Sequence, residues 1–184
     1  MPSIWIITGL MGAGKSTVAQ ALAERLSPSV HLRGDIFRKM IVNGRAEMSP
    51  DPSTEALAQL SLRYRLARDA AVTYSDAGFN VVYQDVILGP LLSDVTASFA
   101  GHEVALVVLN PSLSTVAKRD RERHKTVYGA DWTPETLGSV LNATARLGLW
   151  LDTSNDDVSA TVERILTCTA EATLRPAPGK ISLR

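Results

Sequence analysis

The chain has 184 residues, with 19 Lys+Arg against 19 Asp+Glu, 45% hydrophobic residues and one cysteine, Cys168. That length suits one compact domain with room for a small lid, and the balanced charge excludes a broad electrostatic footprint for duplex DNA or an anionic membrane, leaving only a local basic patch open. A lone cysteine excludes a disulfide framework and a cysteine-based metal cluster and predicts a reducing, cytoplasmic setting; no stretch reaches the roughly 18 apolar residues of a membrane span, and Met1-Pro2-Ser3 lacks the basic start of a signal peptide.

Short apolar runs alternate with helical periods, which predicts a parallel sheet with covering helices. Ile4 to Thr8 is the first strand. A Gly-rich turn follows, then a helix from about Ser16 to Leu26, closed by Ser27-Pro28. Val30 to Leu32 makes a brief second strand, and Gly34 to Val42 reads as a helix ended by Asn43-Gly44. Met48 to Thr54 holds two prolines and is a loop. From Glu55 to Ala77 the residues Leu57, Leu60, Tyr64, Ala67, Ala71 and Tyr74 step by three and four, one stripe of a long helix that Gly78 stops. Phe79 to Tyr83 is the third strand, Leu91 to Phe99 a helix and Val104 to Leu109 the fourth strand. Another helix runs from about Pro111 into the charged run Lys118 to Lys125. Thr133-Pro134 is an N-cap with proline in the first turn of a helix reaching Leu147. Leu149 to Leu151 is the fifth strand, and Val158, Val162 and Ile165 give the last helix its buried face. The three tryptophans, Tyr64 and Tyr74 are expected in the core. The predicted organisation is a domain over 1–172, with a lid at about 120–132 and a loose tail over 173–184.

Gly9-Leu10-Met11-Gly12-Ala13-Gly14-Lys15-Ser16 matches the phosphate-loop pattern GxxxxGK[ST] and sits in the required place, between an apolar strand and a helix. Glycines let successive backbone N–H groups turn inward on an anion at the helix N-terminus. Gly9, Gly12, Ala13, Gly14, Lys15, Ser16 and Thr17 are thus the expected nucleotide-binding set. Lys15 would reach the β- and γ-phosphates of ATP, and the Ser16 hydroxyl would serve Mg²⁺. The spacing differs from the GxGxxG of a dinucleotide fold. Such a loop serves kinases, switches and motors alike, so the reaction must come from the acceptor side.

The second strand ends in His31-Leu32-Arg33-Gly34-Asp35, and ligands of open α/β sheets gather outside the carboxyl ends of the strands. Asp35 therefore shares a rim with the phosphate loop. There it can accept a hydroxyl proton and align that oxygen for in-line attack, or else simply cap the following helix. Arg38, one turn on, could bind an anionic part of an acceptor. Asp85, after Val81-Val82-Tyr83-Gln84, is placed either to hold Mg²⁺ or to satisfy a strand-end loop. Arg119 and Arg123, four apart in the charged run, share a helix face from which two guanidinium groups could stabilise a transferring phosphoryl.

The segments GLMGAGKST, HLRGDIFRKM, VVYQDV and AKRDRERHK together resemble the small P-loop kinases: chloramphenicol phosphotransferase, the kinase module of phage-type polynucleotide 5′-kinases and, further off, gluconate and adenylylsulfate kinases. The resemblance implies an α/β three-layer fold with a five-stranded parallel sheet flanked by helices and a short lid. It implies Asp35 as catalytic base, Arg38 in the acceptor pocket, and Arg119 with Arg123 at the junction of helix and lid. It offers an acceptor-side place for Asp85 as well. Asn155, in Asp152-Thr153-Ser154-Asn155, matches the loop passing the adenine in adenylate-kinase-like folds, although that loop equally suits an N-cap. The expected activity is phosphoryl transfer from Mg²⁺-ATP to a hydroxyl of a small molecule. A nucleic-acid 5′ end as acceptor, or a nucleotide switch with no acceptor, are the alternatives. Only 5% aromatic residues and a balanced charge favour the small molecule. Nothing in the sequence sets an oligomeric state.

Overall fold

The computed structural model describes residues 1–122 and 132–174. Five strands, β1 (Ile4–Gly9), β2 (Ser29–Arg33), β3 (Asn80–Gln84), β4 (Val104–Leu109) and β5 (Leu149–Leu151), pair in parallel in the order β2-β3-β1-β4-β5. The apolar runs become strands because both sheet faces are covered, so each residue of β1 and β4 is buried. The pleat sorts them: Ile4, Ile6, Leu106 and Val108 face one core, Trp5, Ile7, Val107 and Leu109 the other.

Helices α1 (Lys15–Arg25), α7 (Val158–Thr167) and α8 (Thr169–Ala172) cover the second of these faces. The first is covered by α3 (Thr54–Asp76), α4 (Leu91–Ala97) and α6 (Pro134–Asn142), with Val116 of α5 (Leu113–Arg121). The short α2 (Asp35–Lys39) lies against α3. Ser53, Ser112, Thr133 and Asp157 each accept a backbone N–H three residues on and so cap α3, α5, α6 and α7.

Four expectations need correction. The long-helix stripe holds at Tyr64, Ala67 and Ala71, but Leu57 and Tyr74 are exposed, and Ala56 is buried in the first turn instead. Tyr74 is therefore outside the core. The helix opened by Thr133 stops at Asn142, not Leu147, because buried Thr144 accepts the Gly89 N–H at 2.7 Å across the fold. The helix expected from Gly34 to Val42 spans only Asp35–Lys39, with Met40 as its C-cap. The tail expected from 173 begins in contact with the sheet: β5 reaches only Val107–Leu109, and Thr173 bridges Ala105 on the uncovered stretch of β4 while the Leu174 N–H bonds Val104 O at 2.8 Å. Residues 175–184 lie outside the described residues.

Candidate functional site

The phosphate loop turns between β1 and α1 with Gly12 at φ 83° and Gly14 at φ 94°, left-handed values that favour glycine. A side-chain carbon on Gly14 would meet nothing nearer than Arg119 Nη1 at 3.9 Å, so the mouth of the loop is open towards that arginine. Lys15 is buried and its Nζ donates to Leu10 O at 2.8 Å and Gly9 O at 3.1 Å. Ser16 and Thr17, in the first turn of α1, are exposed. The loop fits a polyphosphate: open backbone N–H groups, a fixed ammonium and a helix N-terminus share one concavity.

Beside the loop lies a cleft of about 410 Å³ between α1, the α5 end and the loop after β5. Arg119 spans it, donating to Thr153 O at 2.9 Å and to Ala13 O at 3.4 Å. From the loop after β5 the cleft receives Thr153, Asp156 and Asp157, whereas the expected Asn155 is exposed and does not line it. Arg123, and all but the ends of the predicted lid, lie outside the described residues.

Asp35 is the first residue of α2, whose N-cap Gly34 makes no side-chain cap; its carboxylate therefore does not serve as the helix cap. It pairs with Lys39 one turn on, and Arg33 Nε stands 3.7 Å from Oδ1. That Oδ1 accepts no hydrogen bond from any described residue. Burial, the strongest single influence, pushes the Asp35 carboxyl up; the Lys39 hydrogen bond and the charges of Lys39, Arg33 and Arg63 together outweigh it and hold it below the ordinary carboxylate range. One strand, β3, separates β2 from β1, so Asp35 and the phosphate loop rise from strands about 10 Å apart.

Asp85 follows the intervening strand and is almost fully buried. Its Oδ2 accepts from Arg63 Nε at 2.9 Å and from the Tyr83 hydroxyl at 3.2 Å, and its Oδ1 from the Val86 N–H at 2.7 Å and from the other arm of Arg63. Both oxygens are thus engaged, on the side of α2 and α3. With both oxygens taken, the arrangement does not fit a Mg²⁺ ligand at Asp85; of its other two readings, the Val86 N–H bond accords with a strand-end loop and the Arg63 pair sets the residue on the side of α2 and α3. Gly34 is required beside it: a Cβ there would lie 2.7 Å from Asp85 Cγ and 2.9 Å from Tyr83 Cε2. Burial raises the Tyr64 hydroxyl to about 12, and that hydroxyl donates to Val86 O at 2.7 Å, which holds the loop after Asp85 in place. Arg38 donates to Ala46 O at 2.8 Å and to Glu47 at 2.7 Å.

Sequence reasoning missed Arg63 and Lys39. Arg63 had a signal: it stands three residues after Leu60 and four before Ala67, a cation at the border of an apolar stripe. Lys39 stands four after Asp35, the spacing of a helical ion pair. Among the described residues no group of three or more His, Cys, Asp or Glu side chains is arranged to hold a metal ion, and no helix is long and apolar enough to cross a membrane.

A five-stranded parallel sheet flanked by helices, with a phosphate loop after β1, is the fold of the P-loop kinases. The chain belongs to the AAA_33 family, described as an AAA domain, whose profile matches residues 4–144. Among solved structures it is similar to a sugar kinase from Janibacter sp. HTCC2649, with TM-score 0.67 and 19% identity over 92% of this chain and 95% of that one. It is also similar to the APS kinase CysC of Mycobacterium tuberculosis, in complex with AMPPNP and APS, with TM-score 0.64 and 19% identity over 91% and 96% of the two chains. Identities this low establish the fold alone. A curated relative, a UPF0200 protein of Aeropyrum pernix, is 41% identical over 64 residues, which are 35% of this chain and 33% of that protein. The match thus spans about a third of the relative's length.

Proposed function

We propose that this protein transfers the γ-phosphoryl group of ATP to a hydroxyl of a small-molecule acceptor. The observation that carries the reading is Asp35: an ionised carboxylate paired with Lys39 and Arg33, on the rim two strands from an open phosphate loop. In that role Asp35 aligns the acceptor hydroxyl and takes its proton as the new O–P bond forms and the bond between the γ-phosphorus and its bridging oxygen breaks, leaving ADP. A depressed carboxyl is a weak base, which suits a loose transition state in which the proton leaves late. Lys39 holds Asp35 in the absence of acceptor; being more than half exposed, it can swing away.

Lys15 leaves its loop carbonyls for the β- and γ-phosphates, and Arg119 adds positive charge over the transferring group. Ser16 would hold Mg²⁺, which when bound supplies charge neutralisation to the phosphate oxygens. Asp85 is a positioning residue that fixes Arg63 against the acceptor side. The single Cys168, half-buried and free, accords with a cytoplasmic enzyme.

The test is a panel of hydroxyl acceptors incubated with γ-labelled ATP, including 5′-hydroxyl oligonucleotides. Label should pass to a small-molecule acceptor in the wild type and not in Lys15→Ala. Label released only as inorganic phosphate, whatever is added, would leave a nucleotide switch as the better reading.

A further inference from the structure

One turn beyond Asp35 a second cleft, of about 380 Å³, opens between α2 and α3. Its walls are apolar: Phe37, Met40 and Ile41 on one side, Leu62 and Leu66 on the other. Ten large hydrophobic side chains are exposed among the described residues; six of them, Ile36, Met40, Val42, Leu57, Leu62 and Leu66, fall within residues 36–66, and three of these six, Met40, Leu62 and Leu66, line the cleft. Exposed apolar residues scattered singly are ordinary; a concentration around one cleft marks a binding surface. The Tyr64, Ala67 and Ala71 stripe of α3 already holds the core, so Leu62 and Leu66, four apart, belong to a separate face of the helix.

The polar groups of the cleft narrow its occupant. Gln59 is fully used: its amide donates to Gly44 O at 2.8 Å and Glu55 at 2.7 Å, and accepts the Ala46 N–H at 2.9 Å. Gln59 therefore has little to offer the hydroxyls of a polyol. Phe37 is the one aromatic ring on the walls, too few for a strand of stacked bases. Charge, in contrast, is available. Among the described residues, five cations, Arg33, Arg38, Lys39, Arg45 and Arg63, share the three carboxylates of Asp35, Glu47 and Asp85, and Glu55 is the one further acid bonded to the lining. Arg38 is 24% exposed while its partner Glu47 is 76% exposed, so a ligand anion can replace Glu47 at small cost.

Resting on the kinase reading above, we infer that the acceptor is an amphipathic hydroxy-anion: a hydroxyl at Asp35, an apolar body between α2 and α3, and a carboxylate, phosphate or sulfate on Arg38. Such an acceptor differs from a free sugar and from a polynucleotide end.

Two measurements test this. The first uses anilinonaphthalene sulfonate, an apolar aromatic body bearing an anion. Its fluorescence should rise on the wild type and on Lys15→Ala, while Leu62→Asn and Met40→Gln each weaken binding by about tenfold, the loss expected for one apolar wall. Both sites are already part-exposed, and the two variants check one another for folding. Unchanged probe affinity in both would overturn the inference without touching the kinase reading. The second compares label transfer from ATP to hydroxylated aromatic or alicyclic acids, to the same alcohols lacking the acid, to hexoses and to 5′-hydroxyl oligonucleotides. The first group should be preferred by tenfold or more, and Arg38→Ala should erase the preference over the neutral alcohols. Preference for a hexose or an oligonucleotide would overturn the inference and leave the kinase reading standing. Transfer to none of them, with ATP bound, would overturn that reading and this inference together.

Discussion

Replacing Arg63 by methionine isolates what the buried pair with Asp85 does. Methionine keeps most of the aliphatic stem, so the packing of α3 changes little, yet the Asp85 carboxylate, 1% exposed, loses both of its guanidinium bonds. The Val86 N–H and the Tyr83 hydroxyl stay and soften the loss. Stranding one partner of a buried pair costs roughly 3–5 kcal/mol, and those two donors put the expectation near ~3 kcal/mol. In a domain of this size that is a fall in melting temperature of about 6–12 °C. Adding Asp85→Asn removes the stranded charge and should recover more than half of the loss. Chemical denaturation of wild type, both single variants and the double variant closes the cycle. Stability of Arg63→Met within about 1 kcal/mol of wild type, or a double variant no better than the single, would refute the view that this pair is a coupled, desolvated anchor.

Three other outcomes follow from the same geometry. Because the fold holds Asp35 below the ordinary carboxylate range, its ionised form contributes stability that is complete above about pH 4 and lost as pH falls through the lower folded value. Any acidic limb of kcat/KM due to Asp35 should therefore lie below about pH 4, and Lys39→Ala should move it upward, since burial then meets less opposition; a limb that stays put or moves down speaks against the pairing. Arg119→Ala should lower kcat by about 10²–10³ with a smaller rise in KM for ATP, as steady-state kinetics will report; a pure KM effect removes Arg119 from the transition state. Gly34→Ala needs no new backbone conformation, yet its methyl collides with Asp85 and Tyr83, so calorimetry should register a loss of about 1–3 kcal/mol.

The legible part of this molecule was what short-range pattern controls. Continuous apolar runs at Ile4 and Val104 could only be strands covered on both faces, and the glycine spacing before Lys15 could turn only one way between strand and helix. Contacts distant in sequence were hidden. Thr144 ends its helix for the sake of Gly89, and Thr173 stays with the sheet because β5 is short. At the site, Asp35 was legible as a carboxylate after a strand. Its grip by Lys39 was open to a helical-spacing argument, whereas the role of Asp85 was not, because it depends on Arg63 arriving from 22 residues away. Asn155 was read from a loop matched by analogy; its neighbours Thr153 and Asp156 line the cleft.

The sharpest test is single-turnover transfer from γ-labelled ATP in Asp35→Asn, measured beside its equilibrium affinity for ATP. Removing a general base while leaving the phosphate loop intact should slow transfer by at least about 10² and leave the dissociation constant for ATP within about twofold. Wild-type transfer in that variant, or a loss of ATP binding that accounts for the whole defect, would contradict the assignment of Asp35 to the acceptor hydroxyl.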